Sequence, residues 1–319
     1  MCILLWTTAC ANKGYPLILL SNRDEFLRRP TQTAGPWNKD VYGGRDLARP
    51  ENGTWLGVTR CGRFAGLTNI RETSSIAAIG AASRGAVVSS FLTSDSPCRL
   101  WGDSGCQAPL DDLDIDQVGG FSMLCGQLSR DHQGRVQIDS FGVISNPIEG
   151  KTRERKYDPI DTASEETYGL SNSAFTYPWP KVVNGKRLLN ELVDDIQQDK
   201  LSDREISQRA IEILAFDSLS AEESWKGAED KFELLKQSVF IPMFGANNLT
   251  GSSDTSTASQ DPDGAGPGLY DLYGTQKQTV IVVHESGTVR YTEKTLYDWL
   301  QGTTRAENDT VDIIFDLDI

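Results

Sequence analysis

The chain has 319 residues, enough to bury a substantial core and too many for a scaffold held by disulfides alone. It carries 31 Lys and Arg against 45 Asp and Glu, a formal charge of −14, and that field repels phosphate backbones and anionic lipid headgroups. No nucleic-acid partner is expected, and no transmembrane segment either, because no run reaches the roughly 18 apolar residues of a membrane span. The two histidines, His132 and His284, stand far apart and away from any cysteine or carboxylate cluster, so no metal site is expected.

Cys2-Ile3-Leu4-Leu5-Trp6 is apolar with no basic stretch before it, which reads as a strand and not as a secretory leader. The N-x-S/T triplets at Asn52, Asn248 and Asn308 are accordingly read as chance. Residues 2–9, the Asn12-Lys13-Gly14 turn and Leu17 to Ser21 predict a β-hairpin. Counting outward from that turn sets Cys2 opposite Arg23, within Ser21-Asn22-Arg23-Asp24-Glu25-Phe26. A one-residue slip would set Asn22 or Asp24 there, so the charged neighbourhood is the firmer expectation. A second hairpin, Thr54 to Val58 and Arg63 to Asn69 around Cys61-Gly62, brings Asn69 near Thr54.

Gly85 to Leu92 reads as a helix, and Phe121 to Leu128 with Val136 to Ile144 as two strands around the Asp131 to Gly134 turn. Lys186 to Gln197 is an amphipathic helix, Ser202 with Glu205 forms a capping box opening Asp203 to Ala215, and Glu229 to Val239 is a third helix. Asn247 to Gly268 is rich in Ser, Thr, Asp, Gly and Pro and reads as a disordered or looped insert. Thr279 to His284 and Thr288 to Thr292 form another hairpin, and the alternating tail from Glu307 to Ile319 adds an edge strand. Strands, then helices, then strands predict an α+β fold of antiparallel sheets covered by helices, as one domain over residues 1–319 with the insert at 247–268. Cys10, Cys61 and Cys125 read as small buried hydrophobes of a reducing compartment, and Cys98 and Cys106 as exposed thiols.

Cys2 is set apart by position. Removal of Met1 is expected before so small a side chain, leaving a nucleophile and, in its own α-amine, a base of reference pKa about 7.7–8.0. An arginine nearby favours the thiolate, a carboxylate orients the ammonium, and asparagine side chains stabilise an oxyanion. The plainer alternatives are a buried Cys2, an Arg23–Asp24 ion pair bracing the sheet edge, Trp55 as core, and Asn69 and Asn172 as turn caps.

Asn22-Arg23-Asp24-Glu25-Phe26, Gly43-Gly44-Arg45-Asp46-Leu47, Gly53-Thr54-Trp55-Leu56-Gly57-Val58, Gly62 to Asn69, Ser83-Arg84-Gly85, Gly169-Leu170-Ser171-Asn172, Pro178-Trp179-Pro180-Lys181 and Tyr273-Gly274-Thr275 occur in that order after Met1-Cys2. In these blocks the chain resembles the NRDE family. The resemblance implies an αββα sandwich of the N-terminal nucleophile hydrolase type. By the same analogy Cys2 is the nucleophile, Arg23 its thiolate partner and Asp24 the orienter of the amine, with Asn69 and Asn172 as oxyanion or substrate contacts. Asn22, Glu25, Trp55 and Arg63 are assigned to ligand contact. Two departures stand out. Arg23 and Asp24 are adjacent and point to opposite faces of a regular strand, which leaves Asp24 or Glu25 as the working carboxylate. Gln276 stands where the family usually has an arginine.

The resemblance further implies a cytoplasmic protein, associated with the Golgi or mitochondria through transient membrane contact and linked to Golgi organisation, secretion, haem trafficking and lipid handling. No cofactor is required on this reading; haem or acyl-coenzyme A is the cargo, with Arg23, Arg45, Arg63 and Arg71 available for phosphates. The alternative is an amidohydrolase acting on a small amide or N-acyl substrate through Cys2.

Overall fold

Gly14 closes a 3-10 turn at Ala11–Lys13 with φ of 91°, a left-handed conformation open to glycine, and folds β1 (Ile3–Thr7) back on β2 (Leu17–Phe26). The register is Ile3 to Asn22 and Leu4 to Ser21, so continuing the count sets Cys2 level with Arg23, as expected from the hairpin. The computed structural model describes residues 2–38, 40–70, 82–94, 118–146, 156–198, 201–219, 231–245, 272–297 and 309–319.

Among the described residues two antiparallel sheets of seven strands each face one another. The second is a meander of β3 (Thr31–Trp37), β4 (Val41–Asp46), β5 (Leu56–Thr59), β6 (Arg63–Asn69), β7 (Phe121–Arg130), β8 (Val136–Asn146) and β9 (Lys156–Pro159). The first runs β10 (Thr167–Leu170), β1, β2, β12 (Leu272–Val283), β13 (Thr288–Thr295) and β14 (Thr310–Asp316), with the short β11 (Phe244–Gly245) on β12. Leu4, Trp6, Leu19, Tyr42, Phe64, Leu124 and Tyr291 fill the space between the sheets. Helix α1 (Arg84–Thr93) covers the outer face of the meander through Val87, Val88, Phe91 and Leu92. Helices α2 (Pro180–Gln198) and α3 (Asp203–Leu214) cover the other sheet through Val182, Leu189, Leu192, Ile206 and Ala210, which completes the order helix, sheet, sheet, helix. The α+β class and the layered sandwich are therefore observed.

The Ser202 and Glu205 capping box forms, and the alternating tail is the edge strand β14. Helix α2 starts six residues before its amphipathic stretch, at Pro180, because proline at a first helical position sacrifices no internal hydrogen bond. The third predicted helix is only the short α4 (Lys231–Leu235) in the described residues. Beyond it, Phe240 N–H donates to Phe216 O and Ile241 N–H to Thr275 Oγ1, tertiary partners that replace helical ones. Cys61 is exposed at its hairpin corner instead of buried, while Cys10 and Cys125 are buried as expected. The β3–β4 hairpin, with Gly35-Pro36 in its first strand, lacked a recognisable alternation. Met1, Arg71, Cys98, Cys106 and the 247–268 stretch lie outside the described residues.

Candidate ligand cleft

A cleft of about 300 Å³ opens where the N-terminal end of β1, the C-terminal half of β2, the end of β6 and the N-terminus of α1 converge. Strand alternation decides what β2 contributes. Arg23 and Glu25 line the cleft, and Asn22 and Asp24 turn to the helical layer.

Asn22 is a strut. Its Nδ2 donates to Leu214 O at 2.8 Å and Val239 O at 2.9 Å, and its Oδ1 accepts from Gln278, which ties β2 to the end of α3. It is not among the cleft-lining residues. Asp24 is buried as well. Its carboxylate accepts from Thr275 Oγ1 at 2.7 Å and lies 3.5 Å from Lys181 Nζ. Burial pushes the Asp24 carboxyl above its ordinary value against the pull of Lys181, and pushes Lys181 below its own. Arg23 and Asp24 are thus not each other's partners.

The Arg23 guanidinium lies 4.9 Å from the Trp55 ring, donates to Gln276 Oε1, and pairs with Asp46 Oδ2 at 2.7 Å. Asp46 also receives Arg29 Nε at 2.6 Å. Burial alone would raise Asp46, but the two guanidiniums outweigh it and hold its carboxyl below the usual range. Gln276 sits at the bulge where the β2–β12 register shifts, and its Nε2 donates to Arg29 O at 3.0 Å. Gln276 is thus a neutral side chain that accepts from Arg23.

Cys2 is half-buried, lines the cleft, and points its sulfur 3.9 Å from the backbone oxygen of Asp24. Burial raises its thiol above the ordinary value, with Asp24 adding to the rise and Arg23 opposing it. Glu25 shares the cleft, 3.8 Å from Arg29 Nε.

Asn69 also lines the cleft; among the described residues its side-chain amide makes no hydrogen bond. Its backbone oxygen accepts from Asn172 Nδ2 at 2.6 Å, and Asn172 Oδ1 is buried without a partner among the described residues. Asn172 therefore stands behind Asn69 and does not line the cleft itself. Trp55 serves both roles weighed for it, core side chain and cleft wall.

Arg63 is placed elsewhere. Its Nη1 donates to Phe91 O at 3.0 Å and to Ser94 O, closing the C-terminal end of α1. Arg45 donates to Asn52 O at 2.8 Å and stacks on Trp37, also off the lining.

Among the described residues the cleft cations are Arg23, Arg29, Arg49 and Arg84, against the carboxylates Glu25 and Asp46. Among the described residues Arg84 forms no salt bridge; burial lowers its pKa while Glu25 opposes that. Asp46, Arg84 and Lys181 were missed as site residues although each stands in a motif block quoted above. Gly53 and Gly85 explain why two of those blocks occur together. A Cβ on Gly53 would lie 2.4 Å from the Gly85 carbonyl carbon, so only glycine lets α1 approach the strand and close the cleft.

The fold and site define a class: an αββα sandwich with a cysteine at the floor of an arginine-rimmed cleft. The chain belongs to the Transport and Golgi organisation 2 family, whose model matches residues 1–298. It is 30% identical over 302 residues to the Bos taurus Transport and Golgi organization protein 2 homolog, covering 93% of each chain. To the Drosophila melanogaster Transport and Golgi organization protein 2 it is 39% identical over 206 residues, 60% of this chain and 65% of that one. Among solved structures, a Caenorhabditis elegans N-acylethanolamine-hydrolyzing acid amidase ortholog overlaps 69% of this chain and 88% of its own at TM-score 0.37 and 11% identity. A C2A mutant of conjugated bile acid hydrolase from Clostridium perfringens overlaps 99% and 97% at TM-score 0.33 and 10% identity. Among the described residues no helix is long and apolar enough to cross a membrane.

Proposed function

We propose that the cleft holds part of an acylated, anionic ligand, its acyl group against Cys2 and its charged part on the rim arginines. The observation that carries this reading is the cleft's sign: among the described residues four arginines face two carboxylates, in a chain whose net charge is −14. Acyl-coenzyme A is favoured over haem as cargo. A haem needs an apolar slot and an axial ligand, and Trp55, Leu67 and Ala82 are the main apolar lining beside Cys2. Both histidines lie at hairpin turns away from the cleft, and the raised Cys2 thiol is a poor source of thiolate. In the cell the family's name supports a part in Golgi organisation, performed from the cytoplasm through transient contact with Golgi or mitochondrial membranes.

Calorimetric titration with palmitoyl-coenzyme A and with haem tests the reading. Arg84→Ala is expected to weaken palmitoyl-coenzyme A about tenfold, the worth of one charge-assisted contact, while haem binds weakly to both forms. Equal affinity of wild type and Arg84→Ala for palmitoyl-coenzyme A, or tight haem binding, overturns it.

A second reading, cysteine amidohydrolysis, is favoured by the Asn69 amide, which has no partner among the described residues and lies in the same cleft as Cys2. With Met1 removed, the α-amine of Cys2 takes the thiol proton and Sγ attacks the substrate carbonyl. Asn69 holds the oxyanion, with Asn172 bracing it from behind, and the amine leaves with that proton. Water then releases the acid and restores the thiol. Intact mass shows whether Met1 is removed, and an electrophilic amide probe is expected to label Cys2 and not the Cys2→Ala form. Retained Met1 together with no labelling ends this reading.

A further inference from the structure

On the far side of the sheet from the cleft, Lys181 and Asp24 are both fully buried, their charged atoms 3.5 Å apart. Such a pair is a poor stabiliser, because desolvating two ions cancels most of their attraction, and a methionine at 181 would fill the same space. Its placement gives it another use. Asp24 is clamped by Thr275 Oγ1 on its carboxylate and Tyr273 OH on its backbone oxygen, and that same backbone oxygen accepts the Cys2 thiol. Lys181 is clamped at the start of α2, its N–H donating to Lys236 O at 2.9 Å.

The charges facing Cys2 come from every surrounding element: Arg23 and Asp24 on β2, Arg84 on α1, Lys181 on α2, and the chain's own amino terminus. Arg23 is already neutralised by Asp46. Glu25 lies within electrostatic reach of Arg84. Behind the sheet Asp24 acts to raise the thiol, and Lys181 interacts electrostatically with both Asp24 and Cys2.

We infer that Lys181 and Asp24 form a buried counter-charge pair behind Cys2, and that Lys181 is a positioning residue whose ammonium tempers the Asp24 carboxylate, so that the helical layer sets the reactivity of the thiol. The inference rests on Cys2 as the reacting group of the proposed cleft, but the pair itself touches no ligand. It gives a physical reason for the Trp-Pro-Lys block: Pro180 starts the helix and Lys181 reaches the strand beside Cys2.

Iodoacetamide alkylation followed by peptide mass reads Cys2 alone among the cysteines, as a rate against pH. The thiolate displaces iodide, and its midpoint in pH is the measured quantity. Asp24→Asn removes the negative neighbour and is expected to lower the midpoint by about one unit; Lys181→Met removes the ammonium that tempers the carboxylate and is expected to raise it by about one unit. The double variant, charge-free behind the sheet, is expected to return within about half a unit of wild type. Single variants that shift the same way, or that melt like wild type and do not shift at all, overturn the inference. If Lys181→Met fails to fold, Asp24→Asn against the double variant decides, because loss of the lysine must still raise the midpoint. Alkylation needs neither ligand nor turnover, so failed titrations with shifted midpoints reject the proposed cargo and leave this pair standing.

Discussion

Asp46 binds two guanidiniums and so couples the cleft to the acidity of the solution. In the unfolded chain it protonates near the ordinary value of about 3.9; in the fold its carboxyl lies lower. Its ion pairs therefore stabilise fully above that ordinary value and are lost as pH falls through the lowered one. Urea unfolding is expected to show Asp46→Asn about 1–3 kcal/mol less stable than wild type at neutral pH, with the two converging toward pH 2. A constant gap down to pH 2 would remove Asp46 from the acid response. At this scale the sequence carried part of the site. The hairpin count brought Cys2 to Arg23, and the period of two separated Arg23 and Glu25 from Asn22 and Asp24. The partners of those residues were not legible, because Thr275, Gln276 and Lys181 reach them only through pairings that no local pattern encodes.

Helix α1 illustrates how an element can be legible while its purpose is not. Its apolar residues pointed to a helix, but its two ends are fixed by distant groups: Gly53 against Gly85 at one, and Arg63 on Phe91 O and Ser94 O at the other. Substitutions at the two ends are expected to differ in kind. Gly53→Ala pushes the helix start off the strand, at a cost of about 1–3 kcal/mol, and weakens palmitoyl-coenzyme A because the displaced Ser83, Arg84 and Gly85 are cleft wall. Arg63→Met leaves two carbonyls without their donor at a similar cost of about 1–3 kcal/mol, yet leaves affinity unchanged because Arg63 is not in the lining. Thermal melting beside calorimetric titration separates the two. Loss of affinity in both variants would show that stability alone governs binding.

For the whole molecule, the two sheets are joined at their far edge by the last strand. Phe315 of β14 stacks on Tyr42 of β4 with ring centroids 3.8 Å apart, and Arg60 covers both rings. Phe315→Ala is expected to cost about 3–5 kcal/mol in denaturant unfolding, the usual range for deleting a buried ring. A loss well under 1 kcal/mol would mean that the edge strand does not hold the sheets together. The tail's alternation announced this strand; its partner across the sandwich could not be read, since facing sheets follow no register in sequence.

The pairing of β2 with β12 joins residues far apart along the chain, Asp24 and Thr275 being separated by 251 positions. A ribosome extending the chain at about 5–20 residues per second therefore needs roughly 12–50 s after Asp24 before Thr275 exists to clamp it. Through that interval Cys2 has its hairpin neighbours but neither Gln276 behind Arg23 nor the completed sheet beneath it. The cleft around Cys2 therefore acquires its final chemistry only once β12 has been made and paired, long after the residues that head it.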